Sequence, residues 1–282
     1  MKPAPPSTGH DARRLTQRLQ RAFWRQLKQT QQTLLPQRVR QHVFVAGMQR
    51  SGTNLLMDVL DASRMTQVFH ETDPRAFYNY EMRERAHIRQ LAAACPAPVF
   101  VIKALCELDQ LPSLMQDLNP AQTLWIVRDW RDSVNSAIRS FGNFVPQWQR
   151  IAHATGNGDW RSRGMSAATR NLLKALYHPD ATEKDGAAIM WYYRNVLFFE
   201  RMLDEDSRVR LVFYEDLVKE PREQVAAIYA FLGLPGFNTR IASQIHAHSI
   251  QRRTPPAISP AIAELCNKLY IKLAAARNAQ GA

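Results

Sequence analysis

The sequence predicts an α/β protein in which helices flank a parallel sheet. Three observations carry that prediction. Short apolar runs of strand length at Val43–Ala46, Val99–Ile102, Thr123–Val127 and Val209–Phe213 alternate with longer stretches of helical period, the spacing of right-handed βαβ units. The first run turns through Gly47-Met48-Gln49-Arg50-Ser51-Gly52 into an apolar-periodic helix opening at Thr53, so strand, glycine-bearing loop and helix follow in succession. A length of 282 residues with no internal repeat fits one large domain with a substantial core.

Charge divides the chain. Residues 1–42 hold nine Lys or Arg against one acid, Asp11, and so carry +8 of the net +12. The expected organisation is a basic extension over residues 1–40 and a domain over 41–282. From Asp11 to Leu35 the pattern is helical, with Leu15, Leu19, Phe23 and Leu27 recurring every four residues among arginines. Such a helix either packs its apolar stripe on the domain or lies on an anionic membrane surface. Three widely spaced cysteines, Cys95, Cys106 and Cys266, fit neither a disulfide framework nor a zinc cluster. No apolar run approaches membrane-span length and no signal-peptide core opens the chain, so the expected protein is soluble and cytoplasmic, with at most a peripheral membrane contact.

The loop after the first strand would aim backbone N–H groups and a helix N-terminus at one point, the geometry of a phosphate or sulfate site. Gly47 and Gly52 keep the spacing of the nucleotide-triphosphate loop, but Thr53 and Asn54 follow where that loop has Lys and then Ser or Thr. The lysine for the terminal phosphates and the hydroxyl for magnesium are both missing. What remains is a cradle with Arg50 inside it and the hydroxyls of Ser51 and Thr53 beside it, suited to an anion handled without a metal.

The remaining elements follow in order. Thr66–Phe69 reads as a short strand delivering His70 and Glu71 to the ligand edge of the sheet; Glu71 is either an acid–base group or a surface carboxylate, and His70 a packing or hydrogen-bonding neighbour. Phe77, Tyr78 and Tyr80 either line a pocket or pack a helix expected over Tyr80–Ala94. Lys103 stands at the end of the Val99–Ile102 strand. A helix over Asp109–Leu118 leads to the strand Thr123–Val127, then to Arg128, and Ser136 lies two turns along the next helix. That guanidinium and hydroxyl suit a phosphate monoester. From Phe141 to Pro179 periodicity fails, as in a lid or substrate-binding insertion. Helices are expected over Ala187–Leu203, Arg222–Leu232 and Pro260–Ala276, with Val209–Phe213 and Tyr214 between the first two.

Three segments carry a family resemblance. Gln49-Arg50-Ser51-Gly52-Thr53-Asn54-Leu55-Leu56 resembles the 5′-phosphosulfate loop of sulfotransferases that use 3′-phosphoadenosine 5′-phosphosulfate (PAPS). Leu124-Trp125-Ile126-Val127-Arg128 with Ser136 resembles their 3′-phosphate segment, and Val212-Phe213-Tyr214-Glu215-Asp216-Leu217 with Ile228–Leu234 a third signature. The resemblance spans roughly residues 43–235. It implies a P-loop NTPase-like sulfotransferase fold and PAPS as sulfuryl donor without a metal. Arg50, Ser51, Gly52, Thr53 and Asn54 would then hold the phosphosulfate, Arg128 and Ser136 the 3′-phosphate, and Tyr214 would lie near the adenine. The segment around Glu71 is similar to the tyrosylprotein branch, which implies Glu71 as base with Arg50 and Lys103 neutralising the transferring group. The C-terminal part departs from the family: Gln251-Arg252-Arg253-Thr254 stands where cytosolic members carry a basic signature ending in Gly, and Arg252 and Arg253 either cover the 3′-phosphate or belong to a solvated loop.

The implied reaction moves a sulfuryl group to a hydroxyl or amine of a glycan, peptide or small molecule; the sequence does not identify the acceptor. Rival readings are a P-loop kinase or NTPase with a degenerate motif and a basic nucleic-acid or membrane-binding module. The missing Lys-Ser pair opposes the first. No nucleic-acid motif supports the second, and the positive charge lies outside the domain that holds the motifs.

Overall fold

The computed structural model describes residues 26–35, 39–153, 159–237, 242–243, 245 and 254–280. Five parallel strands form the central sheet in the order β2-β5-β1-β6-β7, where β1 is Gln41–Gly47, β2 Thr66–Phe69, β5 Val99–Ala104, β6 Ala121–Val127 and β7 Val209–Phe213. A separate antiparallel hairpin pairs β3 (Phe77–Tyr78) with β4 (Glu81–Met82).

The apolar strand runs are continuous because both faces of the sheet are covered. Side chains alternate across a strand: Val43, Val45, Val99, Val101, Leu124 and Ile126 enter one core, and Phe44, Ala46, Phe100, Ile102, Trp125 and Val127 the other. The first core is closed by α2 (Thr53–Asp61), α9 (Tyr214–Lys219) and α10 (Pro221–Phe231). The second is closed by α3 (Arg85–Ala93), α4 (Leu111–Asp117), α5 (Trp130–Ser140), α6 (Phe144–His153), α7 (Ala167–Leu176), α8 (Glu183–Glu200) and the C-terminal α11 (Pro260–Gln280).

Several elements differ from the sequence expectation. The helix expected from Tyr80 begins at Arg85, because the chain first turns back at Asn79 and Tyr80, both with positive φ, to close the hairpin. Where irregular chain was expected, the described residues of 141–179 form α6 and α7, and Trp148 is fully buried with its Nε1 donating to the Leu173 carbonyl at 2.9 Å. The N-terminus of α6 is satisfied from afar, since the Glu183 carboxylate accepts from the N–H groups of Phe144 and Val145 at 2.6 and 3.2 Å. A local sequence window cannot see such a partner. α8 opens four residues earlier than expected on a capping box between Thr182 and Asp185.

The lead helix, α1 (26–34), also differs. Leu15, Leu19 and Phe23 lie outside the described residues, and Leu27 is half exposed. Polar side chains make the contact: Lys28 Nζ donates to the Asp61 carbonyl at 2.7 Å, Asp61 Oδ1 at 3.0 Å and Thr66 Oγ1 at 3.2 Å. One turn later, Gln32 Nε2 donates to the carbonyls of Arg64 and Thr66. These partners lie at the end of α2 and the start of β2, opposite the sheet edge where the phosphate loop emerges. No helix among the described residues is long and apolar enough to cross a membrane.

Candidate functional site

Parallel strands deliver their C-terminal ends to one edge, and the register decides which side chains meet there. Phe69 pairs with Ile102, Ala46 with Ala104, Gly47 with Ile126 and Val127 with Phe213. The exits of β2, β5, β1, β6 and β7 therefore bring Glu71, Lys103, the loop 47–52, Arg128 and Tyr214 to a common rim.

The loop is built by its backbone. Gly47 has φ 136° and a Cβ there would stand 2.4 Å from the Ile126 carbonyl oxygen; at Gly52, φ 97°, a Cβ would stand 2.3 Å from the Tyr214 ring. Both positions require glycine. Arg50 itself has φ 71°, an uncommon left-handed conformation for a side-chain-bearing residue and one that recurs at functional turns. α2 then starts at Thr53 with no side-chain cap and no acid in its first turn, leaving its N–H groups to an external acceptor.

Arg50 and Arg128 lock the loop to the β6–α5 turn. Arg50 Nε donates to Ser136 Oγ at 3.0 Å and Arg128 Nη1 to the Arg50 carbonyl at 3.4 Å. The Arg128 guanidinium lies 4.6 Å from the Tyr214 ring centroid, which ties β6 to β7, and its Nη2 is 3.7 Å from the Asp132 carboxylate. Trp191 Nε1 donates to the Arg128 carbonyl at 3.0 Å, fixing the main chain at the strand exit from α8.

On the other side Lys103 Nζ lies 2.6 Å from both oxygens of Glu71 and 2.6 Å from Asn54 Oδ1. Lys103 is 1% exposed and the Glu71 side chain 22%. Burial holds the Lys103 ammonium below the usual lysine range, against the pull of Glu71. Burial likewise lowers His70, with the Lys103 charge adding to it. Asn54 thus belongs to the Lys103–Glu71 cluster as much as to the loop.

Two further residues were not singled out from sequence. Ser133 sits three positions before Ser136, one helical turn away, and the shared face was the available signal. Glu215 adjoins Tyr214 in the Val212–Leu217 segment; its Oε1 accepts from the Asp129 N–H at 3.0 Å. Ser51 Oγ and Ser133 Oγ are buried and have no hydrogen-bond partner among the described residues. Buried hydroxyls beside Arg128 and an uncapped helix fit an oxygen-rich anion. Among the described residues no cluster of His, Cys, Asp and Glu could hold a metal. Arg252 and Arg253 lie outside the described residues.

Comparison with known proteins places the chain in a family. A family model described as "Sulfotransferase domain" matches residues 40–254. Similar solved structures include a mouse sulfotransferase complexed with PAP, 15% identical, covering 89% of this chain and 90% of that one with a TM-score of 0.46. Another is a sulfotransferase from Alicyclobacillus acidocaldarius, 17% identical, covering 86% and 95% with a TM-score of 0.47. No curated protein matches the sequence. With the domain matched over most of its length, the chain belongs to the sulfotransferase family and is a transferase enzyme.

Proposed function

We propose that the protein transfers the sulfuryl group of PAPS to a hydroxyl or amine of its acceptor by in-line displacement. The observation that carries this reading is that Arg50 joins two anion subsites: it belongs to the uncapped loop at α2 and reaches Ser136, while its carbonyl receives Arg128. A ligand with an anionic group at each end suits that arrangement better than a simple triphosphate.

The donor supplies a sulfuryl group activated by its anhydride bond to phosphate. The loop N–H groups with Ser51 and Thr53 orient that end, and Arg128, Ser136 and Ser133 hold the 3′-phosphate, with Tyr214 packed between Gly52 and Arg128. Glu71 accepts the proton from the acceptor oxygen or nitrogen as that atom bonds to sulfur. Lys103 and Arg50 balance the charge on the sulfuryl oxygens and on the departing phosphate, which leaves as adenosine 3′,5′-bisphosphate. Lys103 and Glu71 neutralise one another, so engagement of Lys103 by the donor's anion frees the carboxylate for its task.

Incubation with PAPS labelled in the sulfuryl group and a panel of glycans, phenols, peptides and amines tests the reading. Label should pass to at least one class without added magnesium. Transfer of phosphate from ATP instead would overturn it.

A further inference from the structure

Glu215 stands two residues beyond the end of β7 and faces Asp129, two residues beyond β6, because Val127 and Phe213 are register partners. The residue is 9% exposed. One carboxylate oxygen accepts the Asp129 N–H at 3.0 Å, and the other, Oε2, is buried with no hydrogen-bond partner among the described residues. A buried carboxylate with a bare oxygen is costly when charged, and a proton on that oxygen removes the cost.

The surrounding charges are nearly balanced. Arg128 and Asp129 face Glu215 from the β6–α5 turn, and Tyr270 from α11. Arg128 is shared with Asp132, Asp129 pairs with Arg131 at 3.2 Å, and Asp216 pairs with Arg277. Burial dominates and pushes Glu215 up to about 7; hydrogen bonds from the Asp129 and Glu215 N–H groups and the Arg128 charge oppose the shift, and the Asp129 charge adds to it. In the ligand-free protein this raised value makes Glu215 a cost to stability that grows as pH rises from the ordinary carboxylate range through neutrality.

Arg128 is the group that the proposed function sets on the 3′-phosphate, and this inference rests on that reading. A phosphate dianion at Arg128 adds negative charge beside Glu215 and competes for a guanidinium that helps the carboxylate ionise. Both effects favour the protonated acid, whose O–H also gives Oε2 a hydrogen to donate. We propose that binding of adenosine 3′,5′-bisphosphate is coupled to uptake of a proton by Glu215, which makes this carboxyl a positioning residue of the 3′-phosphate site.

Titration calorimetry of the full chain with adenosine 3′,5′-bisphosphate at pH 7.5, in two buffers of different ionisation enthalpy, reads the proton count directly. Uptake of roughly 0.7 of a proton per nucleotide is expected, and affinity should fall by up to about tenfold per pH unit above neutrality. The phosphate's own second ionisation, near 6, would produce release rather than uptake and so has the opposite sign. Glu215→Gln keeps an acceptor for the Asp129 N–H, and should bind without proton uptake and with little pH dependence. Binding by the wild-type protein with no uptake overturns this inference alone, as does uptake that persists in Glu215→Gln. Absence of bisphosphate binding overturns the donor reading and this inference together.

Discussion

The two halves of the site are prepared in opposite ways. Around β1, β6 and β7, the buried hydroxyls of Ser51 and Ser133 have no hydrogen-bond partner among the described residues, and α2 begins without a side-chain cap. At the ends of β2 and β5, Lys103, Glu71 and Asn54 satisfy one another at 2.6 Å. Buried unpaired polar groups cost stability and persist where a ligand completes them. A self-neutralised ion pair is quiet until one partner is drawn elsewhere. On the proposed function the first half binds the donor and the second carries the proton transfer, so substitutions should separate them.

The largest effect is expected in the second half. Glu71→Gln retains an acceptor for Lys103 but removes the proton acceptor, so kcat should fall by about 10²–10⁴-fold while bisphosphate affinity stays nearly unchanged. His70→Ala should be milder. Steady-state rates beside bisphosphate binding for each variant check both; a fully active Glu71→Gln protein with an inactive His70→Ala would move the role to His70. In the first half the pattern should invert. Arg128→Ala removes a 7%-exposed guanidinium held by Tyr214 and the Arg50 carbonyl, and should weaken the bisphosphate by about 2–5 kcal/mol in calorimetry.

The smallest effect belongs to a region remote from both halves. Lys28→Ala, which removes the contacts to Asp61 and Thr66, should cost about 1–3 kcal/mol of stability in urea unfolding and leave turnover unchanged. Deleting residues 1–35 should lower the melting temperature likewise. If deletion instead spares stability and abolishes binding to anionic vesicles, the lead helix serves a membrane through its exposed residues, among them Leu34 at 73%.

The same division governs how much of the molecule was legible in its sequence. β2 and β7 carry the bounds read from their apolar runs, and the phosphate loop was visible because its residues are contiguous and its glycines obligatory. Arg128 and Ser136 are legible because both belong to one contiguous strand–turn–helix segment, Arg128 just past the end of β6 and Ser136 in the α5 helix that follows. The second half is assembled across the sheet. Glu71 and Lys103 are each candidates from sequence, but their contact depends on β2 lying beside β5, an edge placement that no local pattern records. The hairpin at 77–82 was hidden because Asn79 and Tyr80 turn the chain without a glycine. α6 was hidden because its N-terminus is satisfied by Glu183, 39 residues away from Phe144. Glu215 is not distinctive in sequence, because a carboxylate becomes so only once its burial is known.

The reading of the first half stands or falls on discrimination of the 3′-phosphate. Thermal unfolding of the intact protein should be followed with adenosine 3′,5′-bisphosphate, AMP and ATP, each with and without magnesium. The arrangement of Arg128, Ser133 and Ser136 predicts a clear stabilising shift with the bisphosphate, independent of magnesium, and a far smaller one with AMP. Equal shifts for ATP and the bisphosphate, or an absolute requirement for magnesium, would contradict it.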